Sequence, residues 1–279
     1  MNSALTVHLA NQALKEELET TPKPGLVDLH DNGSHTDMDF DVMSRGIDAV
    51  SPFFGLMFDT AAQMSGRCVS AEIMSALRKT GRDAEDAMLA ATGGVNTHKG
   101  AIFSFGLVSG ALGVLESKGA EFEPTAVRDV VKQLADGIED ELNLSKRKKE
   151  WGKLTAGEKF FARCGQCGAR GQAADGYAFV VEKCLPLLRR LRQAADACAG
   201  LKTLSYIMSL LDDSNVYKRG GPDGVEFVKA SGKDLFENFS QKKAEELNDL
   251  FVKRNLSPGG AADLLALTFF LDKTTEKFK

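Results

Sequence analysis

The residues whose types could do chemistry lie first in the run Ala91-Thr92-Gly93-Gly94-Val95-Asn96-Thr97-His98-Lys99-Gly100. Two glycines permit a tight turn and a close backbone approach to a ligand. Asn96, Thr97, His98 and Lys99 add donors, an imidazole and a fixed positive charge, and Gly100 leads into an apolar run from Ala101 to Leu107. A loop that feeds a helix N-terminus presents free N–H groups and a positive dipole end to an anion, and phosphate is the natural candidate. The run is not a P-loop, since no Gly-Lys-Ser/Thr follows at the required spacing.

Other polar stretches carry the same character. Pro22-Lys23-Pro24-Gly25 excludes helix and sets an extended or turned loop. The connection from Leu26 to Asp39 then holds Asp28, Asp31, Asp37 and Asp39 with His30 and His35. A long loop so rich in ionisable groups reads as functional. Its carboxylates suit Mg²⁺, which escorts triphosphates, although Asp37 or Thr36 could equally cap the next helix. Arg170 stands between two glycines in Gly168-Ala169-Arg170-Gly171, with room for a bidentate phosphate or carboxylate. Asp212-Asp213-Ser214-Asn215 with Arg219-Gly220-Gly221 is another candidate loop, and Ser257-Pro258-Gly259-Gly260-Ala261-Ala262-Asp263 another. Asp263, expected in the first turn of a last helix, could be favoured by the dipole or could bind a metal.

The elements that must position these loops read as helices. Val7, Ala10, Leu14 and Leu18 recur at three-to-four spacing over 4–20. Residues 40–62 read as two helices or one kinked helix at Ser51-Pro52, and 69–79 and 84–91 as two short ones parted at Thr80-Gly81. Ile102 to Leu115 carries Gly106, Gly110 and Gly113, a mark of close helix packing. Pro124 starts a helix expected to reach about 142. Further helices are expected over 179–197, 201–211, 235–254 and 264–271, with a capping box at Thr155-Ala156-Gly157-Glu158. Only 225–229 alternates like a strand. The expected fold is a single all-α domain over 1–279, of roughly ten helices, with the Gly-rich loops at one end.

Composition excludes some classes. The chain has 35 basic and 39 acidic residues, net −4, which argues against a nucleic-acid or membrane-surface role. No stretch approaches the length of a membrane span and no signal pattern opens the chain, so a cytoplasmic location is the default expectation. Five cysteines at irregular spacing do not make a disulfide framework. Cys164-Gly165-Gln166-Cys167 lacks two further ligands for zinc, and the basic cluster Lys146-Arg147-Lys148-Lys149 reads as a solvated loop.

Taken in order, these motifs resemble the triphosphoribosyl-dephospho-CoA synthases, which make the prosthetic-group precursor of citrate lyase and malonate decarboxylase. The matching segments are Thr21–Asp28, Asn32–Asp39, Gly94–Phe103, Gly168–Gly171, Asp213–Val216 with Arg219–Gly221, and Leu256–Leu265. The resemblance implies an ATP:3′-dephospho-CoA 5-triphosphoribosyltransferase that releases adenine, uses Mg²⁺, and passes its product to a transferase that loads an acyl carrier protein. It is compatible with a homodimer, and involves neither nucleic acid nor membrane. Glycosidic cleavage passes through an oxocarbenium-like state that a carboxylate stabilises and an acid assists. The implied catalytic set is Asp28, His35, Asp37, His98 and Asp213. The implied nucleotide-binding set is Lys23, Gly25, Asn96, Thr97, Lys99, Gly100, Arg170, Arg219, Gly220, Gly221, Ser257, Gly259 and Gly260. The implied metal set is Asp37, Asp39, Asp213 and Asp263. Gln172 stands where the family usually has Glu, and Ser214 where it favours Thr. The competing readings are a nucleotide-binding relative with altered catalysis, and a purine-nucleotide N-glycosidase or phosphohydrolase on the same scaffold.

Overall fold

A computed structural model describes residues 1–140, 153–154, 156–165 and 168–276. The basic cluster 146–149, Thr155 of the expected capping box and Cys167 of the CxxC lie outside these. Among the described residues the regular elements are all helical: α1 (Ser3–Glu19), α2 (Phe40–Met64), α3 (Ser70–Ala91), α4 (Lys99–Ser117), α5 (Pro124–Leu134), α6 (Ala156–Cys164), α7 (Gly168–Ala174), a π-helical turn at Val180–Cys184 running into α8 (Leu185–Gln193), α9 (Ala199–Leu210), α10 (Ser214–Glu237), α11 (Gln241–Lys253) and α12 (Gly259–Glu276).

The centre is α4, whose residues from Ala101 to Leu115 are buried apart from Phe103. Its glycines work as the spacing predicts. A Cβ at Gly106 would meet Sδ of Met57 at 2.6 Å, one at Gly110 would meet Cδ1 of Leu77 at 2.6 Å, and one at Gly113 would overlap the Phe58 carbonyl. Glycine thus lets α2 and α3 lie close against α4. One expectation is corrected here. At 19 residues α4 is long and apolar enough to cross a membrane by length and composition, yet 78% of it is buried inside the fold. Its apolar character reflects a core helix covered on all sides. The other long apolar helix, α12, packs on α1, α4, α8, α9, α10 and the π-turn, so it joins the N-terminal helices to the C-terminal ones. The buried apolar side chains form one contiguous cluster across both groups.

Several boundaries differ from expectation, each for a local reason. α2 continues through Pro52, and the Ser51 hydroxyl donates to the Ile47 carbonyl at 2.7 Å beside it. α3 continues through Thr80-Gly81, because a helix tolerates one interior glycine when its neighbours pack. α5 ends at Leu134, and Gly137 follows at φ +74°. The alternation at 225–229 is helix: Val225 and Val228, three apart, are both buried in α10. The 235–254 segment is broken between Glu237 and Gln241, where Ser240 caps α11 by accepting from Lys243 N–H at 3.2 Å. The Gly168 segment is helix α7 rather than loop. α12 starts at Gly259, so Asp263 falls in the second turn.

A buried carboxylate locks α12 to its neighbours. Asp272 is fully buried and accepts from Arg189 Nε at 2.7 Å and from Arg192, while Glu16 of α1 takes Arg192 and, at 2.6 Å, Lys273. Breaking a buried pair costs about 3–5 kcal/mol. Because both arginines are partly exposed and can rehydrate, Asp272→Ala is expected to cost about 2–3 kcal/mol. Urea unfolding checks this, and an unchanged midpoint would contradict it.

Candidate active site

The connection between α1 and α2 is organised by one buried carboxylate. Asp28 accepts from the backbone N–H groups of Lys23 (2.6 Å), His30 (2.7 Å) and Asp31 (3.2 Å). Lys23 is 1% exposed, and its Nζ donates to the Glu17 carbonyl at 2.7 Å and to Glu17 Oε1 at 2.5 Å. Burial pushes the Glu17 carboxyl up, against the pull of Lys23. The loop is pinned on α11, where Asn248 accepts from Gly25 N–H at 2.9 Å and donates to Asp31 at 2.7 Å. Gly25 sits at φ +72°, and a Cβ there would overlap the Leu256 carbonyl, so glycine is required twice over. The loop closes at Asp39, which caps α2 by accepting from Val42 N–H at 2.8 Å. The cap is therefore Asp39, where Asp37 or Thr36 was expected.

The Gly93–Gly100 run is a turn into a helix, as its composition predicts. Gly93 and Gly94 have φ of +69° and +89°. The Thr92 hydroxyl and Asn96 brace it, with Asn96 Oδ1 accepting from Lys99 N–H at 3.2 Å. His98 occupies the N-cap position of α4 and is 4% exposed. Its Nδ1 lies 2.8 Å from Thr97 Oγ1, and its Nε2 has no partner among the described residues. Burial, and next the positive charge of Lys23, push the imidazole down to about 3. Lys99 turns outward to Glu85 of α3 at 2.5 Å.

Gly100 opens the site. A Cβ there would overlap Asp263 Oδ2, so the carboxylate of α12 lies directly against the first turn of α4. Among the described residues no donor reaches that carboxylate. Burial raises Asp263 well above the usual carboxylate range, and Glu17 and Asp213 raise it further. Asp213 itself is a double cap. Its Oδ1 accepts from Asn215 N–H (2.8 Å) and Val216 N–H (3.3 Å) at the start of α10, and its Oδ2 from Ala261 N–H (3.0 Å) at the start of α12. Burial still pushes its carboxyl up despite these donors. Gly260 and Gly259 allow the approach, since Cβ atoms there would come within 2.9 Å of Asp213 Oδ2 and Asn215 Nδ2. The first turns of α4, α10 and α12 thus meet around Asp213 and Asp263, and three positive dipole ends face one region.

A second corner joins it. His35 Nε2 lies 2.8 Å from Ser257 Oγ, and Arg219 reaches His35 Nδ1 at 3.3 Å, the Ser34 carbonyl at 2.7 Å and Asn255 at 2.7 Å. Burial and then Arg219 lower the His35 imidazole, while Asp37, 3.7 Å away, opposes them. Gly221, at φ +63°, breaks α10 just beyond Arg219, and Leu256 packs where a Gly220 Cβ would sit. The fold thus draws Lys23, His98, Gly100, Asp213, Gly259, Gly260 and Asp263 together, with Gly25, His35, Arg219 and Ser257 adjoining. Asp37 and Asp39 are exposed at its edge. Arg170 lies on α7, which packs on α4. No group of three or more His, Cys, Asp or Glu side chains among the described residues is arranged to hold a metal. A cavity of about 350 Å³ lies elsewhere, lined by Glu16, Thr21, Arg192, Cys198 and Phe269 among others.

A family model, CitG, described as ATP:dephospho-CoA triphosphoribosyl transferase, matches residues 4–279. The chain belongs to this family. Its reaction is accordingly triphosphoribosyl transfer from ATP to dephospho-CoA. A 2-(5″-triphosphoribosyl)-3′-dephosphocoenzyme-A synthase from Pectobacterium atrosepticum is 41% identical over 263 residues, covering 93% of this chain and 85% of its own. A Vibrio cholerae serotype O1 relative assigned to the same synthase is 36% identical over 284 residues, covering 99% and 90%. The fold also matches the crystal structure of an Archaeoglobus fulgidus protein described as a triphosphoribosyl-dephospho-CoA synthase, with a TM-score of 0.54 at 15% identity over 84% of this chain and 99% of that one.

In this transferase the structure adds residues that the motifs did not name. Glu17, the buried partner of Lys23, lies on the α1 stripe formed by Ala10, Ala13, Leu14 and Leu18, and that register is the signal that it faces inward. Asn248 likewise falls on the stripe of Ala244, Leu247 and Phe251. Gly46, in mid α2, faces the opening motif, and a Cβ there would lie 2.9 Å from His98 Nδ1. His98 also carries a pH consequence. The unfolded chain binds a proton on this imidazole below about pH 6.5, whereas the folded chain refuses it until about 3. Stability therefore falls as pH drops through 6.5, by about 1.4 kcal/mol per unit from this residue. Denaturant unfolding at pH 7 and pH 5 is expected to show a loss smaller by about 2 kcal/mol in His98→Gln than in the wild type. Equal losses would contradict the assignment.

Proposed function

We propose that the chain moves the 5-triphosphoribosyl group of ATP to the ribose 2′-hydroxyl of 3′-dephospho-CoA in the space bounded by His98, Gly100 and Asp263. One observation carries this reading: the half-buried Asp263 carboxylate lies against the first turn of α4 with no donor among the described residues, and the N-cap of that same helix is His98, a buried imidazole whose Nε2 is unpartnered. Buried polar groups are satisfied as a rule, and exceptions mark places where a ligand completes the set.

In the reaction the bond from ribose C1′ to adenine N9 breaks and a bond from C1′ to O2′ of dephospho-CoA forms. The hydroxyl proton leaves to a base, and a proton reaches adenine. Asp263, raised by its surroundings, suits both the developing positive charge at C1′ and the removal of the 2′-hydroxyl proton. His98, held neutral, offers Nε2 to the substrate. Lys23 keeps Glu17 from adding a second net negative charge there. Asp28 and Asp213, engaged by backbone N–H groups, position the loop and the two helices rather than react. The triphosphate lies beside the first turn of α4, next to the α10 and α12 termini that Asp213 caps, with Arg219, Ser257 and His35 at one end and Lys99 and Arg170 reachable by side-chain motion.

Mg²⁺ fits this site as an escort of the phosphates. It is commonly held by one or two carboxylates plus phosphate oxygens, so a three-residue cage is not needed. Asp37 would supply a carboxylate, with Asp263 kept for the sugar and Asp39 and Asp213 already occupied as helix caps. Its contribution is neutralisation of phosphate charge. The product then serves as precursor for the acyl carrier protein of citrate lyase or malonate decarboxylase.

Incubation with ATP, Mg²⁺ and 3′-dephospho-CoA tests the reading. Adenine release that depends on dephospho-CoA, with a CoA product heavier by a triphosphoribosyl unit, is the expected result. Adenine without a CoA product would indicate a glycosidase, and ADP or AMP would indicate phosphate chemistry.

A further inference from the structure

The corner around His35 holds a hydrogen-bond direction that its donors fix. His35 stands in the loop between α1 and α2, Ser257 in the connection from α11 to α12, and Arg219 on α10 just before the break at Gly221. Arginine carries donors and no acceptor. Arg219 Nη2, 3.3 Å from His35 Nδ1, must therefore donate to it, and Nδ1 holds no proton. Asp37 does not compete, because 3.7 Å is too long for a hydrogen bond. The proton of the imidazole then sits on Nε2, which donates to Ser257 Oγ at 2.8 Å. The corner is held firmly: Arg219 Nη1 donates to the Ser34 carbonyl and to Asn255, and the Ser34 hydroxyl donates to the Leu256 carbonyl at 2.6 Å. Ser257 is 2% exposed. His35 fills its oxygen, while its own hydrogen meets no acceptor among the described residues.

The order Ser257, His35, Asp37 is that of a hydrolase triad, and the direction of the bonds excludes that role: Nε2 already holds a proton and cannot take one from serine. Instead the donors run in one sense, from Arg219 through His35 to Ser257. The Nε–H and one Nη2–H of Arg219 also meet no acceptor among the described residues. Asn215, one turn earlier on α10, lies against Gly259, where a Cβ would meet its Nδ2 at 2.9 Å. Spare donors with no acceptor among them suit a ligand that only accepts, and a phosphate oxygen is such a ligand.

We propose that Arg219 and His35 are positioning residues that aim the Ser257 hydroxyl at a phosphate oxygen of ATP. This role rests on the nucleotide site assigned above and gives its triphosphate end a defined donor. Because the relay runs through Ser257, the two positioning residues act on phosphate affinity through that hydroxyl, beyond any contact that Arg219 makes itself.

Two measurements test this without turnover: long-range proton–nitrogen NMR of the imidazoles, and calorimetric binding of tripolyphosphate. The chain has four histidines, so the signal missing in His35→Phe is that of His35; should that variant not fold, Gln substitution of His8, His30 and His98 assigns it by elimination. In the wild type, Nδ1 of His35 is expected bare and Nε2 protonated. Arg219→Met removes the donor and should let a proton appear on Nδ1. Ser257→Ala should keep the wild-type tautomer, since Arg219 still sets it, yet bind tripolyphosphate about tenfold more weakly, as loss of one hydrogen bond to a charged group predicts. His35→Phe should weaken binding by less, and the double variant by no more than Ser257→Ala alone, because His35 acts through Ser257. A proton on Nδ1 in the wild type would overturn the proposal, as would a wild type that does not bind tripolyphosphate or additive losses in the double variant. Ser257→Ala that binds as tightly as the wild type would overturn it too, and loss of the tautomer in that variant would make Ser257 structural. If the wild type binds tripolyphosphate but makes no CoA product, the reaction assignment fails and the role of Ser257 is still decided.

Discussion

Gly100→Ala is expected to lower dephospho-CoA-dependent adenine release on the order of 100-fold, the effect of an ångström-scale misplacement at a reacting centre. The added Cβ would overlap Oδ2 of the half-buried Asp263 carboxylate, which sits in the field of Glu17 and Asp213. It must swing away from the first turn of α4 or push that turn outward. Stability should change little, because alanine restricts the unfolded chain and favours helix relative to glycine. Measuring turnover and the urea midpoint on one preparation separates the two effects. Retained turnover would show that the contact between α4 and α12 is not part of the reaction space, and a large loss of midpoint would make the contact structural.

Asp263→Asn carries the second large effect, and its two readouts move in opposite directions. Removing a proton-transfer group lowers kcat by about 10²–10⁴-fold. The variant should nonetheless be as stable as the wild type or more so. The folded-state pKa of Asp263 is raised, so its contribution to stability is present at low pH and is lost as pH rises through that pKa. At neutral pH the carboxylate therefore opposes folding, and a neutral amide of the same shape relieves this. In the wild type, kcat should climb with pH through a value above the ordinary carboxylate range, and that limb should vanish in the variant. A stability loss accompanied by an unchanged pH profile would assign Asp263 to structure.

The all-α class was legible because apolar residues recur at helical spacing along α1, α4 and α12, and because the loop glycines stand beside clustered polar residues. The glycines of α4 could be read as packing positions from spacing alone. Continuity was less legible. Pro52, Gly81 and Gly220-Gly221 look alike as local breaks, yet only Gly221 departs from helical φ/ψ; tertiary packing carries α2 and α3 straight through the others. Within the candidate site, the motifs pointed to loops that the fold brings together, but not to what each side chain touches. Asp28, Asp213 and Asp263 look equivalent in sequence. Folding gives the first two several backbone donors and leaves the third with none among the described residues; most of those donors are within five residues in sequence, and one, Ala261 N–H on Asp213, comes from 48 positions away.

Hydrogen exchange with and without ATP and Mg²⁺ tests most directly the claim that the nucleotide binds where α4, α10 and α12 begin. The account predicts slowed exchange in three separate segments together, around 94–103, 213–221 and 256–263, with little change at the cavity formed by Thr21, Arg192 and Cys198. Protection confined to that cavity, or to one of the three segments alone, would contradict it.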